Sequence, residues 1–111
     1  MTSIVHISIN TSASPRGEPV LVHRGTPLVT GQTLTSSASN QQGSQVVPAG
    51  YGSGLAVFRI AVGSVGDKDI YVAFGSNPDA TSAANRFLCP RGGVYEFATE
   101  AEGDKAAIVE A

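Results

Sequence analysis

The β-branched and apolar residues of this chain fall in short runs, each closed by Gly, Pro, Asn, Asp or Ser, and helical periodicity is nearly absent. This pattern constrains the fold most. A period of two puts alternate side chains on one face of a strand, whereas a helix needs apolar residues three and four apart. In Ile4-Val5-His6-Ile7-Ser8-Ile9, the residues Val5, Ile7 and Ile9 share a face. The run Leu55 to Val62 is apolar on both faces apart from Arg59, which suits a central strand. After the turn formers Gly63-Ser64-Val65-Gly66-Asp67-Lys68 comes Asp69-Ile70-Tyr71-Val72-Ala73-Phe74, with Ile70, Val72 and Phe74 facing one way. These two runs are expected to pair as an antiparallel hairpin.

Arg86 to Cys89, Val94 to Thr99 and Ala106 to Val109 complete the set, broken by Pro90-Arg91-Gly92-Gly93 and by Glu100 to Asp104. Val20 to His23 and Pro27 to Leu34 are weaker strands, interrupted by Arg24-Gly25 and Gly31. Gly75 to Asn85 is a polar loop around Asn77-Pro78-Asp79, with room for one helical turn at Asp79 to Asn85. About eight short strands at this spacing predict an all-β fold, an antiparallel β-sandwich or jelly roll.

The 111 residues suffice for a single domain, residues 1–111. Within it, Gly31 to Gly54 is rich in Ser, Gln and Gly and reads as an extended loop or arm. As an arm it would order against a neighbouring subunit, through backbone and side-chain hydrogen bonds. In that case the domain is expected to stay folded when residues 33–45 are removed.

Charged residues make up 14% of the chain, against about 25% in a typical domain. Such a surface is either neutral and hydroxyl-rich or faces other protein. Lys and Arg are scattered from Arg16 to Lys105, with no run that would displace counterions, so nucleic acid is not an expected partner. No stretch nears the ~18 apolar residues of a membrane helix, so no membrane partner is expected either. Met1 to Asn10 lacks the basic and apolar regions of a secretory signal.

Catalytic constellations are sparse. His6 and His23 each sit in a strand-like run, without the converging ligands of a metal site. The lone Cys89 excludes an internal disulfide and reads as a small buried hydrophobe. No Ser occupies a Gly-x-Ser-x-Gly elbow, and Gly63-Ser64-Val65-Gly66 lacks the Lys-Ser/Thr pair of a phosphate loop. Asp67, Asp69 and Asp79 suit hairpin turns better than a calcium ladder. The chain is therefore expected to have no cofactor, no metal and no catalytic residue. A glycan platform would need Tyr51, Tyr71 and Tyr95 exposed and coplanar, and a β-barrel enzyme would need His6, His23 and a carboxylate in one pocket.

From Leu55 to Ala111 the chain carries Val57-Phe58-Arg59-Ile60, Ile70-Tyr71-Val72-Ala73-Phe74-Gly75, Asn77-Pro78-Asp79-Ala80-Thr81, a turn at Leu88 to Gly92, Tyr95-Glu96-Phe97 and Gly103-Asp104-Lys105-Ala106. This order resembles the small virion structural proteins of tailed bacteriophages, above all the head-decoration or cement proteins, and the Ser-rich Thr35 to Gln45 suits the same group. The resemblance covers about half of the chain closely and rests on strands and turns. It implies a non-catalytic protein, made in the host cytoplasm and placed on the capsid surface. There it binds between major capsid protein subunits and copies of itself, as a homo-oligomer or lattice-bound. A tail, neck or fibre-base component, or a glycan-binding host-attachment sandwich, is the alternative. The residues put forward for subunit contact are Ile4, His6, Leu34, Gln41, Gln45, Tyr51, Asn77 and Arg91.

Overall fold

A computed structural model describes residues 2–11 and 31–111. Eight strands are present among them: β1 (Ile4–Thr11), β2 (Gln32–Thr35), β3 (Gln41–Gln42), β4 (Ala56–Val62), β5 (Ile70–Gly75), β6 (Arg86–Cys89), β7 (Val94–Ala98) and β8 (Lys105–Glu110). They form two antiparallel four-stranded sheets, ordered β2-β1-β4-β7 and β3-β8-β5-β6. The expected β-sandwich is what the chain forms. Val20 to His23, and Pro27 to Thr30 of the second weak run, lie outside the described residues.

The connectivity is that of a long hairpin wound around a barrel axis. β5 pairs with β6, β4 with β7 and β3 with β8. β2 pairs with β1, which takes the position a ninth strand would occupy. Nested pairs of this kind, divided between two sheets, are the winding of a jelly roll. The central β4 lies between β1 and β7, and its buried Phe58, Ile60 and Val62 meet Val5, Ile7 and Ile9 of β1 in one core. From the other sheet come Ile70, Val72, Ala106, Ile108 and Cys89. Alternation along β1 and β5 thus falls as the pattern required.

Two local expectations are corrected. β4 and β5 are not a hairpin: they lie in different sheets. Both long edges of β4 are already taken, by β1 and β7, so the Gly63–Asp69 connection crosses the sandwich instead. No helical turn forms at Asp79 to Asn85. Two consecutive turns stand there, closed by the Ser82 amide on the Asp79 carbonyl and the Asn85 amide on the Ser82 carbonyl.

The segment Gly31–Gly54 is built into the sandwich. It supplies β2 on the β1 edge, and β3 pairs with β8. Backbone bonds from Gly43 to Ala106 and from Val47 to Asp104 extend the β8 pairing. Buried Val47 joins the core. Removing residues 33–45 would strip an edge from both sheets, so the domain is not expected to fold without them.

Cys89 stands opposite Ile70 and is fully buried. Burial pushes its thiol up from an ordinary value of 9.0 to about 11. The sign of the pH effect follows. Below pH 9.0 both folded and unfolded chains keep the proton; between there and about 11 only the unfolded thiol ionises, so stability falls as pH rises. Replacing Cys89 by Ala is expected to remove that part of the alkaline loss, which urea titrations at pH 8 and pH 10 would register as a smaller drop in midpoint.

Candidate functional site

The two sheets end on the same side in β6 and β7, and neither strand has a second partner among the described residues. The gap between them is bridged by aromatic rings. Val72 pairs with Phe87, and Phe58 with Phe97, which aims both phenylalanines into the sandwich. Ring centroids lie 4.8 Å apart for Phe58 and Phe74, 5.0 Å for Phe74 and Phe97, and 5.1 Å for Phe87 and Phe97. All are tilted contacts within the favourable range. The chain's four phenylalanines thus run from the core to the surface: Phe58 is 1% exposed and Phe87 51%. Beside Phe87, Leu88 is 53% exposed on the opposite face of β6, and Val94 of β7 is 48% exposed.

A cleft of about 990 Å³ opens over this cluster. One wall is the end of β5 with its following loop, including Asn77, Pro78 and Asp79; the other is β7 with Glu100 and Asp104. The loop wall has a definite cause. Ala73, Ala107 and Val109 on the outer face of the second sheet bury against Ala80, and small side chains let the loop lie close. Asn40 then clamps it twice, accepting from the Ala80 amide (2.8 Å) and donating to the Pro78 carbonyl (3.1 Å). The Gln42 amide adds bonds to Asn77 Oδ1 (2.7 Å) and the Pro78 carbonyl (3.2 Å).

Asn40→Ala removes both clamp bonds and is expected to lower stability by about 1–2 kcal/mol. Amide exchange should quicken at Ala80 and Thr81 but not in β4.

Charge around the cleft is uneven. Among the described residues, Asp79, Glu96, Glu100 and Asp104 line it with a single cation, Arg86. That guanidinium is stacked 3.7 Å over the Tyr71 ring. Hydrogen bonds from the Thr81 hydroxyl and amide hold the Asp79 carboxyl below its usual range. Glu96 stands opposite Arg59 in the register.

The residues put forward from sequence are dispersed. Asn77 lines the cleft. Leu34 and Tyr51 pack against the core, and Gln45 is buried with neither atom of its amide hydrogen-bonded. Gln41, half-buried, pairs with Ile108 and bonds Ser37. Ile4 is exposed at the start of β1, and exposed His6 sits 3.1 Å from the Thr33 hydroxyl. Exposed Arg91 bonds Asp69 through its backbone amide. His23 lies outside the described residues. Neither Tyr51 nor Tyr95 lines the cleft; the Tyr95 hydroxyl donates to the Pro90 carbonyl. Among the described residues, no three His, Cys, Asp or Glu side chains gather as a metal site.

Sequence reasoning did not single out Phe87 and Leu88. The available signal was two adjacent large apolar residues in a short strand bounded by polar loops, which puts one on each face.

No protein-family model, curated protein or solved structure matches the chain.

Proposed function

We propose that this chain is a non-catalytic virion structural protein of the decoration or cement type, seated between major capsid protein subunits through the open β6–β7 side of its sandwich. The observation that carries the reading is the apolar edge at β6, which has no second strand partner among the described residues. Soluble β-proteins protect free edges with Lys, Pro, bulges, inward-pointing charges or very short strands, and of these β6 has its four-residue length and the Pro90 that follows it. The β6 sequence Arg-Phe-Leu-Cys carries one charge, and that charge is folded onto Tyr71. The edge instead presents Phe87 and Leu88, each about half exposed.

Covering the exposed halves of Phe87 and Leu88 gives about 1 kcal/mol each, too little for one tight contact. Repetition over a symmetric lattice multiplies it, which is how a cement protein accumulates affinity. Low overall charge lessens desolvation when surface is buried. A jelly-roll winding is shared by capsid domains, lectins and cupins, so the fold favours no function by itself. The virion assignment draws on the resemblance of Leu55 to Ala111 to decoration proteins.

Co-sedimentation of the purified chain with heads of the phage that encodes it tests the proposal. Saturable binding, at a copy number that is a simple multiple of the capsid subunits, is the expected result. Chain that stays in the supernatant at every concentration would remove the capsid role.

A further inference from the structure

We propose that the cleft over the phenylalanine cluster takes a segment of the partner protein in which an apolar side chain is flanked by Lys or Arg. The inference rests on the proposed role at a protein interface and adds the chemistry of what docks there. Two features of the cleft decide it. Its floor is aromatic, formed by Phe74, Phe87 and Phe97, with Phe87 half open to solvent. A ring or branched aliphatic group inserted there completes edge and face contacts that Phe87 makes on one side only.

The rim supplies the second feature. Asp79 and Glu100 are exposed and Asp104 half-exposed, and all three line the cleft. Asp79 is held in its charged form by Thr81. Arg86, the one cation of the lining among the described residues, is stacked on the Tyr71 ring. Lys105 pairs with Gly75 on β5 and does not line the cleft. The opening thus carries an excess of negative charge around an apolar floor, complementary to an apolar residue between cations. Opposite rim charges steer approach and fix register, while the buried side chain supplies residence time.

The test is titration of the ¹⁵N-labelled full chain, followed by NMR, with three peptides. One is acetyl-Lys-Lys-Leu-Phe-Leu-Lys-Lys-amide. In the second every Lys is replaced by Glu, and in the third the Leu-Phe-Leu centre is replaced by Ser-Gly-Ser. The first peptide is expected to shift the amides of Phe74, Asn77, Phe87 and Phe97 saturably, and to bind at least about tenfold more tightly than either control. Its affinity should fall several-fold on going from about 50 to 300 mM salt. Phe87→Ser should abolish the saturable shifts. Glu100→Lys, on an exposed loop, should weaken binding several-fold with the spectrum otherwise preserved, and it carries the test if Phe87→Ser unfolds.

Equal binding of the acidic peptide, equal binding of the Ser-Gly-Ser peptide, or shifts centred away from the cleft would overturn the proposal. Failure of the two readings is separable. A chain that takes the basic apolar peptide but does not sediment with heads keeps the cleft and loses the capsid role. A Phe87→Ser chain that sediments with heads as well as the intact one keeps the capsid role and loses the cleft.

Discussion

Phe58→Ala is expected to lower the unfolding free energy by about 3–5 kcal/mol, the largest loss expected from truncating any one of the described residues. Phe58 is at the centre of the central strand, with Ile9 opposite on β1 and Phe97 opposite on β7. Its ring also packs 4.8 Å from Phe74 of the other sheet, so it ties the two layers together. Truncation would remove that inter-sheet contact and leave a cavity whose walls, β1 and β7, are fixed by their ladders and cannot collapse into it. For a domain with total stability of about 5–15 kcal/mol, this is a large share. Urea denaturation should show a much lower midpoint with little change in slope. A loss below about 1.5 kcal/mol would mean that the two sheets are not held together at this point. Because the cleft floor rests on Phe58 through Phe74, the same variant should also loosen Phe87.

Ser36→Ala is expected to cost about 2–3 kcal/mol, unusual for removing one hydroxyl. The reason is a buried polar knot at the end of the sandwich away from the phenylalanines. The Ser36 hydroxyl accepts from the Ser3 amide (2.8 Å) and donates to Glu110 Oε2 (2.7 Å). The Ser36 amide bonds back to the Ser3 carbonyl (2.8 Å). The Ser3 hydroxyl in turn donates to the Lys68 carbonyl (2.7 Å) and accepts from the Lys68 amide (3.2 Å). Ser3 and Ser36 are both buried, so alanine at 36 strands the Ser3 amide without water to replace its acceptor. The knot has no slack, since a Cβ on Gly66 would run into the Thr2 carbonyl and the Ser3 backbone. Ser36→Thr, which keeps a hydroxyl, should recover part of the loss in thermal unfolding; Ser36→Cys should recover less.

What the sequence disclosed, and what it hid, follows from the range of each interaction. Val5, Ile7 and Ile9, or Ile70, Val72 and Phe74, declare a buried face by alternation alone, because that signal is local. The two-sided apolar run of β4 likewise declared a central strand. Which strands pair is a long-range question. β4 and β5 adjoin in sequence, but the edges of β4 were filled by β1 and by β7, and nothing near Gly63 records that. The Ser- and Gln-rich stretch misled for a related reason. Ser36, Asn40 and Gln42 look like solvated polar residues until their partners Ser3, Ala80 and Pro78 are brought beside them by the fold.

The candidate site was the least legible part. Its phenylalanines come from β4, β5, β6 and β7, so no window of sequence contains the cluster. Asn77 alone, of the residues selected for subunit contact, reaches the cleft lining. The others fall on the first strand, the Gly31–Gly54 segment and a turn loop, whereas an apolar edge is distinguished by having no protective charge. That property belongs to Arg86 only after it has folded onto Tyr71.

Hydrogen exchange on the chain free and bound to phage heads tests most directly the claim that the β6–β7 side is the working face. In the free chain the outward amides of β6 have no strand partner among the described residues, and they should exchange quickly. On heads, the amides of Arg86 to Cys89 are expected to slow by at least about a hundredfold, with those of Val94 to Ala98 also slowed and β2 on the far edge unchanged. Protection confined to β2 and β3, with β6 exchanging as in the free chain, would contradict the account.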